Sequence, residues 1–249
     1  MPFMRTLNST PIPILTYHQI ADAPPKGTPH RGLVVAPEDF SNQMAMLSLL
    51  GYQGLSMTDL QPYLRGERVG KVVGITLDDG YLNNLTHAAP VLQRYGFSAT
   101  CYVVSQMLGK TNAWDREAGI PEATLMSAAQ LREWVSHGQE VGAHTQNHVR
   151  LMQLDRTHAR EEITHCKTDL EELMGASVQH FCYPYGEYAP EHVAMAMEAG
   201  YTTATTTQRS RCQTHEDYLQ LPRVPIARRT TRMALLLKLA TAYEDRRRV

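Results

Sequence analysis

Two patterns of apolar and polar positions alternate along the chain. Short apolar or β-branched runs end in polar clusters at residues 13–19 (PILTYHQ), 71–77 (KVVGITL), 97–104 (FSATCYVV), 139–145 (QEVGAHT), 178–184 (VQHFCYP), 201–207 (YTTATTT) and 219–226 (LQLPRVPI). These read as strands, several of them buried on both faces. Between them, apolar residues return every three or four positions. Residues 37–50 begin with Pro37, Glu38 and Asp39 and place Phe40, Met44 and Leu47 on one face, which predicts a helix. Further helices are predicted over 82–95 (closed by Gly96), 128–138 (opened by a Ser127/Gln130 capping box), 157–174, 189–199 and onward from Thr230. A stretch of roughly twenty residues after 104, including GKTNAWD, reads as a long and hence functional loop.

Strands alternating with helices imply βα units and a mainly parallel α/β sheet. About seven such units, with no linker or repeat, predict one domain over residues 1–249 that closes into a barrel rather than an open doubly wound sheet. No glycine-rich phosphate loop follows any strand, so nucleotide binding through such a loop is not expected.

Composition narrows the function without naming it. The 249 residues are 43% hydrophobic and 20% charged, with a net charge of −1, so no global field recruits nucleic acid or an acidic membrane. The first twenty residues lack the apolar run of ~7–15 residues of a secretory signal, and no segment approaches a membrane span of ~20. The expectation is a cytoplasmic protein, or a periplasmic one if a leader has been removed. Cys101, Cys166, Cys182 and Cys212 have no metal-site spacing and are expected as buried free thiols. The eleven histidines are in excess.

In a β/α barrel, chemistry gathers where the strands end. Those positions carry Tyr17-His18, Asp78-Asp79, His144 and His148, Pro184-Tyr185-Gly186, and Arg223. Taken singly, an Asp-Asp-Gly is a turn, a His-x-x-x-His is weak, and Arg223 is an ion-pair partner. Taken together, Asp79, His144 and His148 make a two-histidine, one-carboxylate set suited to a divalent metal with open positions. One of the adjacent acids is then a ligand and the other a base, and the cation relieves their repulsion.

These residues resemble the polysaccharide deacetylase family of metal-dependent carbohydrate esterases. ITLDDGY is similar to its T-F-D-D-G motif, HTQNH to its H-[ST]-x-x-H motif, and YPYG to its R-x-P-[aromatic]-G motif. The third motif's Arg falls at Cys182, and the usual C-terminal Leu-x-His is absent. PILTYHQI, TNAWD and FCYPYG resemble the permuted branch of bacterial poly-N-acetylglucosamine deacetylases, where the corresponding His lies on the first strand.

The resemblance implies a distorted (β/α)7 barrel, permuted relative to most of the family, that hydrolyses the N-acetyl group of an amino sugar. It implies Asp78 as base, His18 as acid, and Asp79, His144 and His148 as ligands of Zn²⁺, with Co²⁺ or Ni²⁺ as alternatives. Pro184 has no N–H, so Tyr185 offers the first oxyanion donor on its loop. Arg223 replaces the missing Arg or is a plain salt-bridge partner. Gly186, Tyr81, Asn112, Trp114 and Asp115 are expected to line a sugar site, with core packing the other reading for Trp114. Two competing readings remain: hydrolysis of a cyclic imide or formamide, and a non-catalytic carbohydrate-binding protein on the same fold.

Overall fold

Each of the seven apolar runs becomes a strand of one parallel sheet in the computed structural model, which describes residues 10–213 and 216–248. Residues 1–9 of the leader reading, and His215, lie outside the described residues. The chain begins with β1 (Ile14–Tyr17), the short β2 (Gln19–Ile20) and β3 (Val34–Val35), and α1 (Pro37–Leu49). Next come β4 (Gln53–Leu55), α2 (Met57–Leu64), β5 (Val72–Leu77), α3 (Ala89–Tyr95) and β6 (Thr100–Val103). Then follow α4 (Ala128–Ser136), β7 (Glu140–Ala143), α5 (Arg156–Met174), β8 (His180–Cys182) and α6 (Pro190–Glu198). The series ends with β9 (Thr203–Arg209), β10 (Leu221–Pro225) and α7 (Arg232–Ala240).

Hydrogen bonding runs in the order β1-β10-β9-β8-β7-β6-β5, and β1 also pairs with β5, which closes the barrel. All these pairings are parallel. Every residue of β5 is buried, as expected for a parallel strand covered on both faces. The Ser127/Gln130 capping box forms, with each side chain accepting from the other's backbone N–H. All four cysteines are buried and free. Among the described residues, no helix is long and apolar enough to cross a membrane.

Two departures from the sequence pattern have physical causes. The pair β4–α2 is not predicted, because Gln53-Gly54-Leu55 is too short to show a period and Pro62 sits inside the helix. β4 pairs with the first half of β5, and Gly54 O accepts from Ser98 N–H, so this strand fills the space below the entry to β6. Only glycine fits there: a Cβ on Gly54 would stand 2.6 Å from Ile75 and 2.8 Å from Phe97. The predicted helix 82–95 is likewise two elements. A π-turn over Asn84–Ala88 precedes α3, and Ala89 N–H donates to Asn84 O. Pro90, with no N–H to offer, follows directly, and a widened turn ahead of it leaves fewer carbonyls stranded.

Candidate active site

Barrel closure carries residues far apart in sequence to the C-terminal ends of neighbouring strands. Asp78 N–H donates to Tyr17 O at 3.0 Å, which locks the end of β5 to the end of β1 and brings His18 beside the two acids. His18 Nε2 lies 3.9 Å from Asp78 Oδ2. β7 delivers His144 and, one turn later, His148; β8 leads into Pro184 and Tyr185. These groups surround a cavity of about 280 Å³ that also meets His30, Leu33 and Thr207.

Asp78 and Asp79, adjacent in the chain, face different partners. Arg223 reaches across from β10 and donates from Nη1 to Asp78 Oδ1 and from Nη2 to Oδ2, both at 2.7 Å. Its Nε donates to Thr206 O at 2.9 Å and its Nη1 to Thr76 Oγ1 at 3.1 Å, so the guanidinium is held on three sides. Cys182 stands where the resembling motif has Arg; its Sγ is 3.3 Å from Arg223 Nη2 and 3.8 Å from Asp78 Oδ2. Burial pushes the Asp78 carboxyl up, but the charge and hydrogen bonds of Arg223 outweigh it and hold the group below its ordinary value.

Asp79 instead turns to two imidazoles. Its Oδ1 is 3.4 Å from His144 Nε2 and 3.3 Å from His148 Nε2. Burial raises this carboxyl too, and hydrogen bonding to His144 and His148 more than offsets it, leaving it well below the usual range. His144 Nδ1–H donates to Cys182 O at 2.7 Å, because a carbonyl can only accept; this turns the Nε2 lone pair toward Asp79. His148 Nδ1 is buried without a partner among the described residues.

The ligand atoms of Asp79, His144 and His148 lie within 4.8 Å of one another. Two acceptor atoms of one tetrahedral ion with bonds of ~2.0–2.2 Å stand about 3.3–3.6 Å apart, which the two Asp79 distances match. The residues therefore fit a divalent cation. Asp78, His144 and Cys182 also approach one another, but both Asp78 oxygens are taken by the guanidinium, which leaves no place for a second positive charge.

All five non-glycine residues with positive φ among the described residues border this end of the barrel: Asp79 (76°), Thr145 (63°), His148 (54°), Tyr185 (59°) and His30 (54°), which meets the cavity. Such backbone strain clusters at functional sites. In the Tyr185 turn, Gly186 N–H donates to Tyr183 O and Glu187 N–H to Pro184 O; neither bond uses the Tyr185 N–H. Arg150 lies over the Tyr185 ring at 4.0 Å and pairs with Glu187, which braces the turn.

Several expected sugar-site residues take other places. Asn112 is fully buried; its Oδ1 accepts from Ala123 N–H at 2.7 Å, so it braces the loop instead of facing the cavity. Trp114 stacks on the His148 ring at 4.5 Å and 20°, giving one aromatic face to a candidate ligand. Gly186 is a matter of packing: a Cβ there would stand 1.9 Å from Thr207 Oγ1. Arg223 is 1% exposed and meets Asp78, not solvent. Tyr81 is 3% exposed, with its hydroxyl against Asp79 and Gln19. Tyr81 lines an adjoining cavity of about 180 Å³ with His30 and Asp115, and Asp115 also faces the 280 Å³ cavity, as expected of a sugar-site residue. His30 carries no signal in the sequence, because its Pro- and Gly-rich surroundings read as a connector.

A sequence model of polysaccharide deacetylases matches residues 65–204. The Bacillus subtilis protein YxkH, named as a polysaccharide deacetylase, is 26% identical over 227 residues, covering 90% of this chain and 75% of its own. Among solved structures, the Streptococcus pyogenes deacetylase PplD in complex with acetate is similar at a TM-score of 0.82 and 26% identity, covering 94% of this chain and 100% of that one. BA0330 of Bacillus anthracis, also named as a polysaccharide deacetylase, gives 0.77 at 28% identity, covering 92% and 69%. IcaB from Ammonifex degensii shares the fold, with a TM-score of 0.77 at 22% identity over 92% of this chain and 97% of its own.

Proposed function

This chain belongs to the polysaccharide deacetylase family, and from that premise we propose that it hydrolyses the N-acetyl amide of an amino sugar, releasing acetate and a free amine. The observation that carries the reading is the division between two adjacent carboxylates. Asp78 is clamped by a guanidinium, and Asp79 faces two imidazoles. Asp79, His144 and His148 would hold a divalent cation, zinc first and cobalt or nickel next by donor type, which when bound polarises the acetyl carbonyl and acidifies water.

The protein's own groups do the rest. Asp78, kept ionised by Arg223, takes a proton on a carboxylate oxygen as water attacks the carbonyl carbon. The Tyr185 N–H, unused by its own turn, donates to the oxyanion that develops. His18, whose Nε2 lies 3.9 Å from Asp78 Oδ2, gives a proton from Nε2 to the departing nitrogen. An amine leaves poorly without that proton, so the acid matters most for amides and least for activated esters. His144 is fixed through Cys182 O, and His148 is backed by Trp114, so both rings are oriented before any ligand arrives.

The test is acetate release from N-acetylglucosamine oligomers, run beside a panel of cyclic imides. Release that disappears in Asp78→Asn supports the assignment. Turnover of a cyclic imide with no acetate from any amino sugar overturns it.

A further inference from the structure

The π-turn and the asparagine before it are absorbed by none of the roles above. His18 sits between β1 and β2, its side chain 25% exposed, and its 3.9 Å approach to Asp78 is too long for a hydrogen bond. The ring therefore takes its position from the backbone on either side. On the N-terminal side, Tyr17 O is fixed by Asp78 N–H. On the C-terminal side, three bonds from the segment after the Asp-Asp-Gly turn hold Gln19 and Ile20. Ile20 N–H donates to Asn83 Oδ1 at 3.0 Å, Asn83 Nδ2 donates to Gln19 Oε1 at 3.2 Å, and His87 Nδ1–H donates to Ile20 O at 2.6 Å.

Asn83 is the residue from which the π-turn starts and His87 lies within it, and the widened turn faces both side chains toward β2. The loop that carries Asp78 and Asp79 thus also grips the strand that follows His18. We propose that Asn83 is a positioning residue for the general acid: with His87, it fixes β2 so that His18 Nε2 stays within reach of the leaving nitrogen on the same side as Asp78. This rests on the reading of His18 as the acid of an N-deacetylase.

The distinguishing quantity is dependence on the leaving group, measured with an N-acetylglucosamine pentamer and 4-nitrophenyl acetate. Wild-type protein should hydrolyse both, and His18→Ala should lose far more on the amide than on the ester. Asn83→Ala should show the same split in a milder form: kcat on the pentamer down roughly tenfold or more, and on the ester by less than about threefold. Asn83→Asp keeps the acceptor for Ile20 N–H and should recover most of the amide rate. His87 is exposed, so His87→Ala should fold normally and fall in the same direction, which carries the test if Asn83→Ala does not fold. Hydrogen exchange across residues 18–21 should quicken in both alanine variants. Equal losses on the two substrates, no loss on the amide, or no recovery in Asn83→Asp overturns the positioning role alone. A wild-type protein that releases no acetate from the pentamer overturns the deacetylase reading and this proposal together.

Discussion

Asp78 is 3% exposed and Asp79 5%, and no solvent shell keeps two such neighbours ionised; their partners do. The partners separate the two roles experimentally. Asp79→Ala or His144→Ala should remove bound metal and activity together, as read by metal analysis of the purified protein. Asp78→Asn should keep the metal and lose about 10²–10⁴ in kcat, the range of a positioned base. Arg223→Ala should also be slow, because it leaves a buried carboxylate without its counter-charge, at a cost of about 3–5 kcal/mol in stability. Cys182 Sγ lies 3.3 Å from the guanidinium, so an arginine at 182 enters the space that Arg223 fills. Adding Cys182→Arg to Arg223→Ala should recover about tenfold or more of the lost rate, whereas Cys182→Arg alone should overcrowd the site and lower activity. The two acids, His144 and His18 stand directly after strands and His148 four residues beyond His144, and that placement is what made them readable in the sequence. Arg223 was legible only as one of two options, the replacement for the motif's Arg or a plain salt-bridge partner, because the two bonds to Asp78 that decide between them exist only once the barrel closes.

At the other end of the same strands, elements meet through a polar cluster that no motif announced. Glu140 opens β7 and His180 opens β8; the carboxylate accepts from the hydroxyls of Thr58 and Thr100 and from Thr58 N–H at the start of α2. His180 is fully buried, with Nε2 2.9 Å from Thr58 Oγ1 and Nδ1 2.8 Å from Thr203 Oγ1. Burial raises the Glu140 carboxyl, but His180 and the two threonines pull it down to about 2 from an ordinary 4.5. A carboxyl depressed in the folded state stabilises above its unfolded value, and that contribution fades as pH falls from 4.5 toward 2. One pH unit within this window is worth about 1.4 kcal/mol. Urea unfolding at about pH 5.5 and about pH 3.5 should therefore show wild type losing about 1 kcal/mol more than Glu140→Gln. Equal losses would place the acid sensitivity elsewhere. The cluster also accounts for α2 despite its proline: Ser56 caps the first turn, and Glu140 lies at the positive end of the helix. Neither support is local in sequence, so the pattern of residues 51–70 alone predicts no element there.

For the whole molecule, the two ends of the barrel divide stability and chemistry. The N-terminal end is filled by β4, α2 and the Glu140 cluster. The C-terminal end concentrates the five left-handed non-glycine residues of the described chain and two buried acids. Each such backbone conformation costs on the order of 1–2 kcal/mol, and the three converging acceptors of Asp79, His144 and His148 add mutual repulsion. A cation that binds the folded barrel and not the unfolded chain offsets part of this and stabilises by RT ln(1 + [L]/Kd), about 2.7 kcal/mol at a hundredfold excess over Kd. For a chain of this size that corresponds to roughly 5–10 °C in Tm. Chelator-treated protein should therefore melt lower and regain the shift on adding Zn²⁺, Co²⁺ or Ni²⁺, with the rank of the three reporting the site's preference. Asp79→Ala should abolish the shift, and Asp78→Asn should keep it, because Asp78 already has its positive partner. A shift that survives in Asp79→Ala would mean that the stabilising metal binds elsewhere, and the pairing of the strained end with the cation would fall with it.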